Sequence, residues 1–365
     1  IEHAGVDVEQ AFEVAARSVE IARGTGDPTT ITSVCGRAAF AAWGPAHQDE
    51  ARRWSAEAMA RLDEVTEPLV RIEAVNQALV SSLVDADVET FDRLLPRAEA
   101  LRDQMGLPYY WWTTSFHRAM RVMVTGDLER AEAASELALQ RGEACEQPDA
   151  VLFYGAQLIA IRFYQGRLAE LVDLVDVVAD ERPRLVVLDV VRSVARMEAG
   201  DLDAAREGIG PSLIRRLPRD RTWTSALALA TQIAVRLDLP DEATDLYRLL
   251  LPSADLLPTT GATAFELSHA SLGRLATTIG RYDEAERHFA EAERVHLAMG
   301  ARHFTARTRA GWAAMLLRRD APGDRARAEV LSRAALEDAT AHGYGVVTAE
   351  AETVLAALAR RPVGS

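Results

Sequence analysis

The chain has 365 residues, 48% of them apolar and 26% charged, which is enough apolar material for a continuous core. Its formal charge of −14 argues against a nucleic-acid surface, which needs a basic footprint. All 41 basic residues are arginine, so a P-loop lysine and a Schiff-base lysine are both excluded.

Taken in order, the chain reads as helix after helix. Residues 7–23 carry Ala11, Ala15 and Ser18 on one stripe and end at Gly24-Thr25-Gly26. The stretch has the stripe of a second helix with no first helix before it. An apolar face open to another copy of the chain or to a neighbour is therefore expected. From Pro28 onwards helices alternate. First-of-pair helices are expected at 28–43, 68–84, 108–125, 148–165, 185–199, 222–237, 262–279 and 303–318. A second helix follows each, the last at 325–342. Residues 346–359 are left over and read as a capping helix, which an open solenoid end requires. Pro96, Pro211 and Pro252 fall in or near the ends of second helices, where they should kink or stop them. The stretch 252–261 is the longest loop-like segment and the expected hinge. The unit between Leu171 and Ala205 is short, so a change of superhelical pitch is expected there. No alternating run bounded by hairpin turns occurs, and no sheet is expected. The domain reading is a repeat solenoid over 1–345 and a capping helix and tail over 346–365.

Two sets of residues repeat with one period. Ala11, Ala51, Phe91, Ala131 and Leu171 recur about every 40 residues, and Ala205, Ala243, Ala285 and Ala328 continue the series with drift. Pro28, Pro68, Pro108 and Pro148 share the spacing, and proline suits a first helical turn, where a missing N–H costs nothing. Turn signals precede the marker in later units: Gly126-Asp127-Leu128, Gly166-Arg167-Leu168, Gly200-Asp201-Leu202 and Gly280-Arg281-Tyr282. The plan is plainest in LGRLATTIGRYDEAERHFAEA, residues 272–292. Gly273 and Ala276 leave room for a close helix, Gly280 ends one helix, and Ala285, Phe289 and Ala292 form one stripe of the next. This stretch resembles the tetratricopeptide repeat, whose pattern runs L-G-x2-Y and then A-x3-F, although Ala276 stands where an aromatic is usual and His269 where tryptophan is. The expected fold is an all-α, right-handed, TPR-like superhelical solenoid of about nine helix pairs, each unit touching its neighbours.

Motifs of catalysis are absent from the sequence. There is no HExxH and no GxSxG, and Gly24-Thr25-Gly26 ends a helix instead of following a strand, so it is no dinucleotide loop. His288, His296 and His303 fall near one another, yet His288 and His296 are two turns apart, too far to share a metal readily. A structural role is expected for them, with no cofactor, no metal site and no enzymatic activity. Cys35 and Cys145 form no CxxC pair and read as free thiols in a reducing cytoplasm. The opening IEHAGVDVEQ has neither the basic residues nor the apolar run of a signal peptide. The most apolar segment, 185–194, is too short for a membrane span and contains Asp189 and Arg192.

Two features suggest recognition. The run Tyr109-Tyr110-Trp111-Trp112, with Phe116 after it, covers every side of a helix at about 100° per residue, so not all of these rings can be in the core. Nine residues after each repeated proline stand Arg37, Gln77, His117 and Gln157, with Asn76 beside Gln77. Stacked in successive units, these four are expected to line the concave face, with Asn76, Trp112 and Tyr164 nearby. They would offer hydrogen bonds to a protein, a peptide or a small effector, and His117 would make binding respond to mildly acidic pH.

The last third has a narrower likeness. Gly300-Ala301-Arg302, then Ala306-Arg307-Thr308, then 321–328 (APGDRARA) resemble the C-terminal helical region of large actinobacterial signalling ATPases, some with a LuxR-type helix-turn-helix and others with a nucleotide cyclase. That resemblance implies the sensor portion of such a protein, with its ATPase and output domains as natural partners. A stand-alone repeat scaffold for other proteins is the alternative.

Overall fold

Aspartate and proline start many of the helices. The side chains of Asp27, Asp87, Asp127 and Asp201 each accept a hydrogen bond from the amide three residues on, at 2.8–3.1 Å. Such caps contribute about 0.5–2 kcal/mol each. Pro28, Pro68, Pro108 and Pro240 occupy the first helical turn, whereas Pro148 lies two residues ahead of its helix. The computed structural model describes residues 8–360 and shows nineteen α-helices there. The helix α1 (Val8–Thr25) packs on α2 (Pro28–Ala41), which pairs with α3 (Gln48–Ala60), and α4 (Pro68–Val84) with α5 (Val88–Met105) and α6 (Pro108–Thr125) with α7 (Leu128–Ala144) follow. Next come α8 (Ala150–Gln165) with α9 (Val172–Glu181), and α10 (Val187–Glu198) with the short α11 (Leu202–Glu207) and α12 (Pro211–Arg216). The chain continues with α13 (Trp223–Arg236) and α14 (Pro240–Leu250), α15 (Ser268–Thr278) and α16 (Tyr282–Ala298), α17 (Arg302–Arg319) and α18 (Asp324–His342), and ends on α19 (Gly345–Ala359). An isolated bridge between Thr259 and Ala264 is the sole β pairing among the described residues.

Helices neighbouring in sequence pack as pairs, and first helices also pack on one another, α2 on α4, α13 on α15 and α15 on α17. This is the all-α solenoid that the periods predict. The markers Ala51, Phe91, Ala131, Ala205, Ala243, Ala285 and Ala328 are buried between helices. At Gly273 the reason for glycine is visible, since a Cβ there would stand 2.9 Å from the Phe289 ring. Pro96 does not end α5, which runs through it. Pro211 opens α12, and Pro252 sits in a 3-10 turn after α14.

The solenoid differs from expectation in one respect: its units do not touch neighbours alone. α17 returns to α6, and α19 to α8. The Tyr344 hydroxyl donates to the Gly126 carbonyl at 2.9 Å, and the Tyr164 ring meets His303 edge-on at 4.6 Å. Helices α13, α15 and α17, lying inside this closed turn, are buried on nearly every side. The stretch 252–261 also folds inward, where the Leu257 amide donates to the Val84 carbonyl at 2.8 Å.

Where the turn closes, the interior is charged. Arg274 donates to Glu266 at 2.5 Å and to the Arg307 carbonyl at 2.8 Å. Arg307 donates to Glu266 and Glu350, both at 3.3 Å, and to Gln232, while its guanidinium lies over Phe163 at 4.7 Å. Two arginines and two glutamates thus neutralise one another and join α8, α13, α15, α17 and α19. Buried charge is tolerable only under such pairing.

Candidate functional site

A cavity of about 810 Å³ opens where the pairs are least regular. Its walls come from α8, α9, α10 and α13, and the end of α2 and residues 260–265 close it off. Leu152, Ile159, Leu174, Val191, Leu229 and Phe265 typify the lining, which is aliphatic for the most part. Two lining residues, Val151 and Leu174, are 64% and 52% exposed, so apolar surface is in contact with water at the opening. This is the size and chemistry of a small-molecule site, in which burial gives affinity and a few polar groups set orientation.

The polar groups are few. Glu143, Glu181 and Arg182 are exposed at the rim. Asp220 turns its carboxylate back on the chain and accepts from the Thr222 amide at 2.8 Å and the Thr222 hydroxyl at 2.7 Å. Arg221 is different. It is partly buried, its guanidinium lies over the Phe40 ring at 4.4 Å, and it has no hydrogen bond or ion pair with any described residue. Burial pushes its pKa below the ordinary arginine value, with Asp220 and Asp149 opposing. Four residues on, Ser225 also lines the cavity, and its hydroxyl is buried without a partner among the described residues.

No family model matches the chain. No curated protein matches it either. Among solved structures it is similar to a Rap protein complexed with competence and sporulation factor, at 11% identity and a TM-score of 0.49, over 95% of this chain and 99% of that one. Similarity at this level concerns the course of the helices alone.

The seven residues that the sequence singled out lie elsewhere, and none lines the cavity. Arg37 is exposed, and Asn76 and Gln77 are half-buried on α4. His117, Gln157, Trp112 and Tyr164 are buried, so they do not form an open polar row. The buried members face neighbouring helices instead, Gln157 the preceding first helix α6 and His117 the second helix α5. Gln157 donates to the Phe116 carbonyl at 3.1 Å, and the His117 ring packs on Phe116 and Phe91. Burial lowers the His117 pKa to about 3, which removes it as a sensor of mildly acidic pH. Trp112 packs with Phe116 and Phe153 in a satellite core. The aromatic run divides as the helix geometry requires: Tyr110 and Trp112 are buried, Tyr109 is exposed, and Trp111 lies under Arg102 at 3.9 Å and near Arg141 at 5.1 Å.

The histidines serve the packing. His296 accepts from the Leu267 amide at 2.9 Å and meets the Thr308 hydroxyl at 3.1 Å, and it anchors the segment before α15. His288 joins His269 at 2.7 Å and Tyr247 at 3.0 Å. Among the described residues no group of three or more metal-ligating side chains converges. The cavity itself was hidden from sequence reasoning, because its walls come from units that depart from the period. The one available signal was the shortened unit between Leu171 and Ala205.

Proposed function

We propose that this chain is a non-catalytic sensor domain of a signalling ATPase or transcription regulator, and that it takes its effector into the lumen of the closed solenoid. The observation that supports the reading is the apolar cavity of about 810 Å³, set among the least regular units and open to solvent. An apolar space of this size suits a small molecule better than the surface of a folded partner. The signalling setting rests on the likeness of residues 300–308 and 321–328 to the helical regions of such proteins.

The test uses a neutral apolar dye, N-phenyl-1-naphthylamine, whose fluorescence rises on transfer from water to an apolar site. Gly155 lines the cavity, and a Cβ there would meet nothing within 4 Å. Gly155→Phe therefore projects a ring from α8 into the lumen and obstructs part of it. Saturable dye binding at one site, abolished in Gly155→Phe with the thermal midpoint kept, is the expected result. Binding that Gly155→Phe leaves intact would place the dye elsewhere and remove the lumen as the site.

A further inference from the structure

We infer that the lumen is built for a small amphipathic anion, whose apolar body lies between α8, α10 and α13 and whose oxyanion head is held by Arg221. The inference rests on the lumen reading and specifies the ligand. Three observations lead to it.

The first is the unused arginine. A guanidinium carries five N–H donors in a fixed fork that matches a carboxylate, sulfonate or phosphate. Arg221 spends its flat face on Phe40 and leaves that donor edge without an acceptor among the described residues. Elsewhere in the interior the buried arginines are paired, Arg274 and Arg307 with Glu266 and Glu350. A partly desolvated cation with no counter-ion is costly, and an incoming anion removes the cost.

The second is where the negative charges lie. Asp220 adjoins Arg221 but is engaged by Thr222, and neither it nor Asp149, the other carboxylate near the guanidinium, forms an ion pair with it. Glu143 and Glu181 are exposed at the rim beside Arg182, so solvent screens all three. The charge withdrawn from solvent is therefore positive, and it selects the sign of the ligand.

The third is the remainder of the surface. Ser225, at the start of α13 and also lining the cavity, supplies a hydroxyl without a partner among the described residues, a second donor for an oxyanion. Apart from these two residues, Asp220, a few threonines and the charged rim, the walls are apolar, which suits a hydrocarbon or aromatic body and not a sugar or a nucleotide. A cavity of about 810 Å³ holds a drug-sized molecule and not a folded partner.

Two dyes of one framework separate the ligand from the lumen. 8-Anilinonaphthalene-1-sulfonate carries the anion, and N-phenyl-1-naphthylamine does not. The full chain should bind the sulfonate roughly ten- to hundred-fold more tightly than the neutral dye, the range of a charge-assisted hydrogen bond. Arg221→Gln should abolish that preference with neutral-dye binding and thermal midpoint unchanged, and Arg221→Lys should restore part of it. Decanoate should displace the sulfonate from the native chain and fail to do so from Arg221→Gln. Equal binding of both dyes, indifferent to Arg221→Gln and blocked by Gly155→Phe, would overturn the anion and leave the lumen reading in place. Displacement by an uncharged, end-blocked apolar peptide as strong as by decanoate would also overturn it. Failure of both dyes to bind would overturn both proposals.

Discussion

The interior of this solenoid is filled in one place and open in another, and the two places have opposite chemistry. At the closure, Arg274, Arg307, Glu266 and Glu350 cross the interior and fix five helices to one another. In the lumen, Ile159, Val191 and Leu229 face a space that no side chain fills. Directional, charged contacts admit one arrangement, so the closure sets the geometry of the turn. Aliphatic walls make no such demand, so the space they enclose is free to receive a ligand. The residues a function would use are therefore to be sought among the apolar ones, contrary to the usual instinct to look for clustered charge.

Removing the hub of the charged region should have the largest effect. Arg307 is 3% exposed, and Arg307→Met leaves Glu266 and Glu350 with Arg274 as their one remaining cation. A loss of about 3–5 kcal/mol in urea unfolding is expected. The matching change in the lumen, Leu174→Ser, should stay within about 0.5 kcal/mol. Comparable losses at both sites would dissolve the contrast.

Acid should act next, and through the packed regions. The folded-state pKa of His117 and His296 falls to about 3 and that of His288 to about 4, and His303 is held well below its ordinary value, chiefly because burial disfavours the charged ring. In each case the unfolded chain binds the proton more readily. The stabilisation is complete above the unfolded value of about 6.5 and is lost as pH falls from there towards 3–4. Glu198, raised to about 7 by burial, has the opposite sign and gains stability as pH falls from 7 towards 4.5. Thermal midpoints between pH 7 and 4.5 should fall, and His117→Phe should flatten the slope. A midpoint independent of pH over that range would contradict the packing described for these rings.

A smaller effect is expected at the seam. Gly126 has φ +90°, and a Cβ there would come within 2.5 Å of the Tyr344 hydroxyl oxygen. Gly126→Ala should cost about 1–3 kcal/mol from the backbone alone. Tyr344→Phe should relieve the added clash, since it removes the hydroxyl oxygen, and should leave the backbone cost in place. The smallest effect is expected in the lumen wall. Gly155→Ala adds a methyl in open space on α8 and should stabilise by about 0.4–1 kcal/mol. Destabilisation there would mean that the lumen is more tightly shaped than its walls suggest.

Much of the fold was legible because it is local. Pro28, Pro68 and Pro108 begin helices, and Ala131, Ala285 and Ala328 lie between them, all within one repeat length. The closure was not legible, since nothing near Gly126 announces a partner at Tyr344. The polar row misled for a related reason. The spacing of Gln77, His117 and Gln157 sets each nine residues after a proline, but it does not tell whether that face meets water or a neighbouring helix. Arg221 sits in the irregular stretch before α13, outside the period, and only its unpaired state in three dimensions marks it.

The bond between Tyr344 and Gly126 spans 218 residues, and it divides the life of a newly made chain into two stages. The early repeats hold their partners within one unit and are free to assemble as they emerge. At ribosomal rates of roughly 5–20 residues per second, Gly126 then waits about 10–40 s for Tyr344 to be synthesised. Through that interval Phe163 and Tyr164 have neither Arg307 nor His303 to cover them. The closure cannot precede the synthesis of Tyr344, and ribosome-bound chains lacking α17 and α19 are the ones a chaperone would meet with aromatic surface still exposed.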